Sequence, residues 1–190
     1  MRSLCMMVIF FSVVGCNSEL DLLRRSAEQG DTEAQLALAS ELELYGNVGR
    51  QREAVKWFQK AANKNNVWAL NGLAYHYLSG DGVERDCKRA ADLFEQAAAR
   101  GFGPSQENLV RLYLLDDSMK SDIDAYIWSV VLRRTWKKEL TFRGPDNQTV
   151  GSIDELASRL SADELASAQL RIEDISSKIQ ASPPELSWRP

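Results

Sequence analysis

The stretch Gly80 to Asp86, GDGVERD, mixes glycines with carboxylates, the residue types that hold metal ions and cradle phosphates. A calcium-binding loop needs more oxygen ligands and a glutamate at its twelfth position, and a P-loop needs Gly-Lys followed by Ser or Thr. Neither pattern is present. The other interpretation is a corner between two helices, in which Gly80 and Gly82 end the first helix and Asp86 caps the second. The sequence favours this corner.

Few other residues are suited to catalysis. The chain has a single histidine, His76, which excludes a metal site built from several histidines and a relay between two. We interpret it as a semi-buried packing residue, with a catalytic base as the alternative. The acidic pairs Glu41/Glu43 and Asp116/Asp117 are most simply solvated surface. No HExxH, GxSxG or SxxK motif occurs. The sequence therefore predicts no enzyme, no catalytic residue, no metal and no cofactor.

The first residues differ in character from the rest of the chain. Arg2 provides a short positive end, and Leu4 to Val14 is apolar throughout. This run is too short to span a bilayer, which requires about 20 apolar residues. It fits the apolar core of a secretory signal. We therefore assign residues 1–15 to a signal peptide.

The end of this segment, VVGC over Val13 to Cys16, resembles the lipobox of bacterial lipoproteins. The resemblance implies that Cys16 becomes the lipid-modified first residue of the mature chain, and several acyl chains anchor a protein stably. An ordinary signal peptide with a chance cysteine is the alternative. Asn17 stands where an aspartate would resemble the inner-membrane retention signal. The expected location is thus the bacterial envelope, facing the periplasm, at the outer membrane rather than the inner one.

Charge and cysteine content restrict the partners and cross-links. The 190 residues include 23 basic and 27 acidic side chains, and loss of Arg2 with the signal makes the balance more acidic. Nucleic-acid binding therefore lacks its usual basic footprint. Cys5 leaves with the signal and Cys16 carries lipid, so Cys87 is alone and no internal disulfide is possible in the mature protein. Its basic neighbours can lower the pKa of its thiol, but we favour a helix-start cysteine without a special role.

Beyond the signal, the chain repeats itself. Three alanine-containing stretches end at Gly30, Asn65 and Gly101, giving spacings of 35 and 36 residues. Glycine or asparagine there suits the left-handed residue that ends a helix. Each end is followed by two helical patterns whose apolar positions align in three sets: Leu38, Leu73 and Leu109; Leu42, Tyr77 and Tyr113; Trp57, Leu93 and Trp128. Two helices in each period of about 35 residues predict an all-α fold, a short α-solenoid of about three helix pairs.

These residues resemble the Sel-one-like repeat family, which is related to the tetratricopeptide repeats. Residues 34–62 match the family pattern with a loop one residue shorter, and residues 105–132 lack the loop glycines. The best match lies within residues 69–98: Ala69, Leu73, Ala74, Tyr77, Gly80, Gly82, Val83, Asp86, Ala90, Leu93, Phe94, Ala97 and Ala98. The resemblance implies a helical repeat region over 16–135.

The remainder is predicted to close the solenoid, which needs a terminal cap with a polar outer surface. Residues 136–150 are interpreted as a loop, residues 151–180 as capping helices and residues 181–190 as a loose tail. Two Ser-x-x-Glu capping boxes, SIDE from Ser152 and SADE from Ser161, open the helices. The expected apolar face of the second helix consists of Leu165, Ala168, Leu170, Ile172 and Ile175.

The family resemblance implies that the first helix of each pair lines a concave face. Trp68 and Tyr75 lie seven residues apart, on one side of one helix, and are types enriched in binding hot spots. For Trp68, packing against the preceding pair is the alternative. The candidate partner-binding residues are Glu33, Leu36, Ser40, Trp68, Asn71, Tyr75, Glu107 and Arg111.

The expected function is binding of a partner protein on this face. Short Sel-one-like lipoproteins resemble bacterial immunity proteins, which neutralise a secreted toxic effector such as an envelope-attacking lipase. The alternative is an adaptor or regulator of a resident envelope complex. A β-lactam-directed enzyme, associated with some cysteine-rich relatives, is disfavoured because paired cysteines and a Ser-x-x-Lys motif are missing.

Overall fold

The computed structural model describes residues 20–44, 47–136, 142–143 and 149–181. A first helical segment, α1, covers residues 20–28. Three helix pairs follow: α2 (Thr32–Leu44) with α3 (Val48–Ala62), α4 (Val67–Ser79) with α5 (Cys87–Ala98), and α6 (Gly103–Leu115) with α7 (Asp122–Trp136). The strands β1 (Phe142–Arg143) and β2 (Thr149–Gly151) precede α8 (Ile153–Arg159) and α9 (Ala162–Ala181). The predicted all-α solenoid of about three pairs is confirmed.

The helices begin a new pair where the sequence period predicts. Gly30, Asn65 and Gly101 all have left-handed backbone conformations, with φ of 95°, 62° and 78°. Asn65 is the one non-glycine residue with positive φ within the described ranges. Asparagine tolerates this conformation better than most side chains. The three residues therefore end α1, α3 and α5 by the same backbone turn.

The core is a continuous stack of the aligned apolar residues. Leu38, Leu73 and Leu109 are fully buried on the first helices, and Trp57 and Trp128 are buried on the second helices. Burial of each such leucine side chain contributes about 1.5–3 kcal/mol. From α2 to α7, each helix packs against the next one along the chain, as nearest-neighbour stacking in a solenoid requires.

A buried polar bond repeats with the same period. The Gln35 side chain of α2 donates from Nε2 to the Ala27 carbonyl at 3.0 Å, and Gln106 of α6 donates to the Ala98 carbonyl at 3.0 Å. The corresponding position of α4 is the buried Leu70. The bond therefore ties the first helix of two pairs to the end of the preceding helix, where its last carbonyls lack helical partners.

The C-terminal helices pack on α7. Both predicted capping boxes form: the Glu155 and Glu164 carboxylates accept from the backbone N–H groups of Ser152 and Ser161 at 2.8 Å. On α9, Ala168 and Ile172 are buried. The prediction for Leu170 was wrong, because its side chain is 75 % exposed. Two positions from Ala168 and Ile172, it lies on the opposite side of the helix.

The stretch interpreted as a loop contains the two short strands. They are antiparallel, with Phe142 opposite Gly151 and Arg143 opposite Thr149. The loose tail predicted for 181–190 lies outside the described residues, apart from Ala181 at the end of α9. In the described part of the chain, no helix is both long and apolar enough to cross a membrane.

Candidate protein-binding groove

The GDGVERD stretch forms the corner between α4 and α5. Gly80 ends α4 with φ of 83°, and its N–H donates to the His76 carbonyl at 2.9 Å. Asp86 caps α5, because its side chain accepts from the backbone N–H of Arg89 at 2.9 Å. Gly82 has φ of 73°, and a Cβ there would come within 2.6 Å of the Gln51 backbone on α3. Backbone geometry and close packing thus explain these residues, as the corner interpretation predicts.

The corner also reaches the third pair through Arg85. Its Nη2 lies 2.7 Å from Asp116 Oδ2, and its Nε donates to the Leu78 carbonyl at 3.0 Å. The Asp116 carboxylate also accepts from the hydroxyl and backbone N–H of Ser118. The Ser118 hydroxyl, foremost among these donors, holds the pKa of Asp116 below its ordinary value against the effect of burial. The interpretation of Asp116 as solvated surface was therefore wrong, because it is a partnered structural carboxylate.

Cys87, at the start of α5, is buried. Burial, and then the neighbouring Asp116 carboxylate, raise the pKa of its thiol. The alternative based on its basic sequence neighbours, a Cys87 thiol with a lowered pKa, is therefore wrong. A thiol with a raised pKa forms little thiolate, the reactive species, at neutral pH.

His76 is buried between two pairs and has both ring nitrogens engaged. Nδ1 lies 2.7 Å from the Asp81 carbonyl and must carry a proton to donate to it. Nε2 lies 3.0 Å from Glu43 Oε1 of α2, an ion-pair distance without the alignment of a hydrogen bond. Burial lowers the pKa of His76, but the Glu43 carboxylate and the Asp81 carbonyl outweigh it and raise that pKa above its ordinary value. The arrangement joins α2 to α4 and leaves no free nitrogen for a catalytic base.

A polar network connects the first helices of the second and third pairs. The Tyr75 hydroxyl of α4 donates to Asn108 Oδ1 of α6 at 2.7 Å. Asn71 Oδ1 accepts from Ser105 Oγ at 2.9 Å and from Asn108 Nδ2 at 3.0 Å. The Tyr75 ring also packs edge-on against Phe94 at 5.5 Å, yet 47 % of the residue remains exposed. Tyr75 is therefore an exposed aromatic side chain held in one orientation.

Beside this network lies an open groove of about 320 Å³. Leucines supply most of its apolar surface, and polar and charged groups complete its lining. We call it the α4–α6 groove, and it is lined by Tyr75, Leu78, Asn108, Arg111, Leu112, Leu115 and Asp116. The combination of apolar surface with a few polar groups is typical of binding sites.

The structure brings together part of the predicted partner-binding set. Tyr75 and Arg111 line the groove, Asn71 belongs to the polar network, and Glu107 lies 3.6 Å from Arg111 on the next helical turn. These four positions are predicted from the first helices of the second and third pairs. The second and third pairs therefore carry the candidate site.

The other predicted residues lie elsewhere. Leu36 is only 2 % exposed and belongs to the core, so its prediction as a surface residue was wrong. Trp68 is half-buried and packs edge-on against Phe102 at 4.7 Å, at the start of the following pair rather than on the preceding pair that the packing alternative named. Glu33 is exposed and Ser40 half-buried on α2, outside the groove. Cys16, the predicted lipid attachment site, lies outside the described residues.

Sequence reasoning missed five groove residues. A projection of one helix shows only its own faces. The groove lies between two helices and includes the side of α6 that faces α4. The signal in the sequence is a stripe at i, i+4 and i+7 on α6, formed by Asn108, Leu112 and Leu115. The remaining missed residues, Leu78 and Asp116, stand at the ends of α4 and α6.

Within the described ranges, no group of His, Cys, Asp and Glu side chains is arranged to hold a metal ion. What the groove offers instead is an exposed aromatic ring, the side-chain amide of Asn108, a guanidinium group and leucine surface. Such groups recognise a ligand by contact.

Comparison with known proteins supports the repeat assignment. The Sel1 repeat matches residues 32–66 and 69–102. DAP3-binding cell death enhancer 1 of Rattus norvegicus is 33 % identical over 94 residues, covering 50 % of this chain and 18 % of that protein. The ERAD-associated E3 ubiquitin-protein ligase component HRD3B of Arabidopsis thaliana is 31 % identical over 110 residues, covering 56 % and 17 %. The chain thus spans less than a fifth of the length of these relatives.

Solved structures share the fold. The protective antigen c5321 of uropathogenic Escherichia coli, described as displaying an SLR fold, has a TM-score of 0.64 at 24 % identity, covering 90 % of this chain and 37 % of that one. A Sel1 repeat protein from Oxalobacter formigenes has a TM-score of 0.56 at 21 % identity, covering 83 % and 64 %. Sel1 repeats mediate protein–protein interaction, and their fold is generally a non-enzymatic scaffold. The repeat matches, the period of 35 to 36 residues and the shared fold show that this chain contains Sel1 repeats, over residues 32–66 and 69–102.

Proposed function

We propose that this chain is a lipid-anchored, periplasm-facing protein that binds one partner protein in the α4–α6 groove, as an immunity-type inhibitor of a secreted toxic effector. The observation that carries the binding proposal is Tyr75, whose ring is half-exposed and fixed by Asn108 and Phe94. Ordering a side chain on binding costs about 0.5–1.5 kcal/mol. A pre-ordered tyrosine avoids much of that cost, which suits a binding hot spot.

The inhibitor role is supported by size and by the N-terminal pattern. The described residues form three helix pairs, and the α4–α6 groove among them is of side-chain dimensions, which fits a single partner better than a scaffold for several. The lipobox-like sequence ending at Cys16 would hold the protein at the membrane where a toxin arrives. A tether of this kind raises the local concentration of inhibitor without any new contact.

The second candidate is an adaptor or regulator of a resident envelope complex. It is favoured by one relative, since HRD3B is an E3 ubiquitin-protein ligase component. The same groove would serve either role. No reaction is proposed, because the one histidine is buried with both nitrogens engaged and Cys87 has a raised pKa.

The binding proposal is tested by capturing partners from envelope and secreted fractions with the purified protein and with a Tyr75→Ala variant. We expect Tyr75→Ala to weaken binding by about 2 kcal/mol, roughly 30-fold in Kd, while the helical circular-dichroism signal stays unchanged. The matched control is Leu170→Ala, which removes a more exposed apolar side chain on α9, away from the groove. Equal binding by the native and Tyr75→Ala proteins would place the partner on another surface.

The identity of the captured protein separates the two roles. A secreted toxin whose activity the native protein suppresses supports the inhibitor, and a resident complex retained without inhibition supports the adaptor. The anchor is tested by Cys16→Ser, which should move the processed protein from the detergent phase to the aqueous phase. A Cys16→Ser protein that still partitions into detergent after signal cleavage would contradict the lipoprotein proposal.

A further inference from the structure

The hydrogen bonds between the polar side chains of α4 and α6 occupy the amide oxygens of Asn71 and Asn108 but leave some of their amide N–H groups unused. Asn71 Oδ1 already accepts two hydrogen bonds, from Ser105 and Asn108, and Asn108 Oδ1 accepts one from Tyr75. Each amide nitrogen carries two N–H groups. Asn108 uses one of them on Asn71, and the structure shows no partner for the Asn71 nitrogen among the described residues. The network therefore leaves amide N–H groups for an acceptor from outside.

The charged groups of the groove show the same imbalance. Asp116 is the carboxylate in its lining, and that carboxylate is occupied by Arg85 and Ser118. Arg111 is far less engaged. Its Nε lies 3.6 Å from Glu107 Oε1, beyond hydrogen-bond length, and its side chain is half-exposed. The guanidinium can therefore take a carboxylate in the two-pronged geometry that arginine favours.

Leucine side chains supply the apolar part. Leu78, Leu112 and Leu115 line the groove, and Leu115 is 40 % exposed although leucine gains by burial. An apolar side chain of a partner would cover this surface next to Arg111. The Asn108 amide, one loosely paired cation and leucine surface thus meet in one groove, and the Asn71 amide is hydrogen-bonded to Asn108 beside it.

We propose that the α4–α6 groove binds an extended acidic segment of the partner protein. A carboxylate of that segment pairs with Arg111, carbonyl oxygens accept from the amides of Asn71 and Asn108, and an apolar side chain covers Leu112 and Leu115. This inference rests on the proposed function, because it specifies the partner's chemistry at the same groove.

The preference for an acidic segment comes from the residues of the groove, because the chain as a whole has a net charge of −4. The long-range field of an acidic protein does not attract an acidic partner. At physiological ionic strength, however, charges interact over only about 8 Å. Arg111 and the amide donors, which contact the segment directly, therefore determine recognition at this site.

The test uses two synthetic probes followed by nuclear magnetic resonance of the ¹⁵N-labelled protein. One peptide is acetyl-Gly-Ser-Leu-Glu-Leu-Ser-Gly-amide, and the other has Gln in place of its Glu. We expect the Glu peptide to shift the side-chain amide signals of Asn71 and Asn108 at about one fifth of the Gln peptide's concentration, because a charge-assisted hydrogen bond is the stronger one. Arg111→Glu should abolish this preference. The control, Arg133→Glu, changes the charge equally at an exposed α7 residue outside the groove and should keep it.

Equal shifts from both peptides, or no shift of either amide up to about 5 mM peptide, a range that covers the weakest specific contacts, would overturn the inference. A preference for the Glu peptide that survives Arg111→Glu would overturn it as well. This inference can fail while the proposed function holds. If the captured partner protein binds the Arg111→Glu variant as tightly as the native protein but no longer binds the Tyr75→Ala variant, the groove is the binding site and the acidic segment is not its ligand.

Discussion

The corners of the second and third helix pairs close in the same way with unrelated sequences. In the second pair, the backbone N–H of Asp86 donates to the Tyr77 carbonyl at 2.8 Å. In the third, the N–H of Ser121 donates to the Tyr113 carbonyl at 3.0 Å. Tyr77 and Tyr113 are aligned repeat positions. Each bond thus fixes the distance between the end of the first helix and the start of the second.

The two corners use different residues to turn the backbone before this hydrogen bond. The second corner uses left-handed backbone at Gly80 and Gly82. The third corner has no glycine and instead turns on Asp116, whose side chain accepts from the backbone N–H two residues later, at Ser118. Its second helix is capped by Ser121, whose hydroxyl accepts from the Asp124 N–H at 3.3 Å. The comparison teaches that the family's glycine motif is one solution to a geometric requirement, which a short polar side chain also meets.

The largest effect should come from Gly82→Ala at the second corner. A left-handed alanine is strained, and its Cβ would meet the Gln51 and Arg52 backbone at 2.6–2.7 Å, which cannot move aside like a flexible side chain. Strain and overpacking together should cost about 2–4 kcal/mol of unfolding free energy, measured by urea denaturation.

Gly80→Ala is the matched control, because Gly80 is also left-handed but its Cβ would have ordinary contact at 3.4 Å with Arg85. Gly80→Ala should lower the unfolding free energy by about 1–2 kcal/mol, the cost of a left-handed alanine backbone alone. Equal losses in the two variants would show that close packing on α3 contributes nothing at the second corner.

At the third corner, Asp116→Ala should cost about 1–2 kcal/mol, since it removes the turn bonds to Ser118 and the ion pair with Arg85. Asp116→Asn keeps an oxygen for the Ser118 N–H and should lose about half as much. The readout is again urea denaturation. If Asp116→Asn loses as much unfolding free energy as Asp116→Ala, the loss comes from the removed charge. That result would contradict a stabilising turn bond to the Ser118 N–H.

The two corners should respond to pH in opposite directions, with the smallest effect of the series. The pKa of His76 is raised, so its contribution is complete below about pH 6.5 and is lost as pH rises through the folded-state pKa. The pKa of Asp116 is lowered, so its contribution is complete above about pH 4 and is lost as pH falls through the folded-state pKa.

Unfolding free energy measured from pH 3 to 9 separates the two contributions. His76→Gln should flatten the loss on the alkaline side, and Asp116→Asn the loss on the acid side. The slope is read in each case, because either substitution also changes the overall level. An unchanged alkaline slope in His76→Gln would remove the Glu43–His76 pair from the account.

The sequence predicts the repeated parts of the fold because local rules control them. The helix ends at Gly30, Asn65 and Gly101 follow from the spacing and from the few residue types that tolerate a left-handed backbone. The capping boxes at Ser152 and Ser161 are equally local. The third pair forms although its loop lacks the family glycines, because the periodic core residues are present.

Contacts between distant residues escape the same reasoning. The partner of His76 is Glu43, 33 positions earlier, and no local pattern connects them. The sequence alone predicts Asp116 as a surface acid, because its partner Arg85 belongs to the preceding corner. A helical projection predicts Leu36 at the surface because it does not show which neighbour covers this residue. The groove has the same origin, since it lies between two helices and belongs to neither alone.

The central claim is that a partner protein is bound by the first helices of the second and third pairs. Amide hydrogen exchange of the protein, with and without a captured partner, tests this most directly. The account predicts slower exchange on binding in α4 and α6, strongest around Tyr75 and Asn108, with little change in α3 and α5. Protection confined to α3, α5 or the C-terminal helices, with α4 and α6 unaffected, would contradict it.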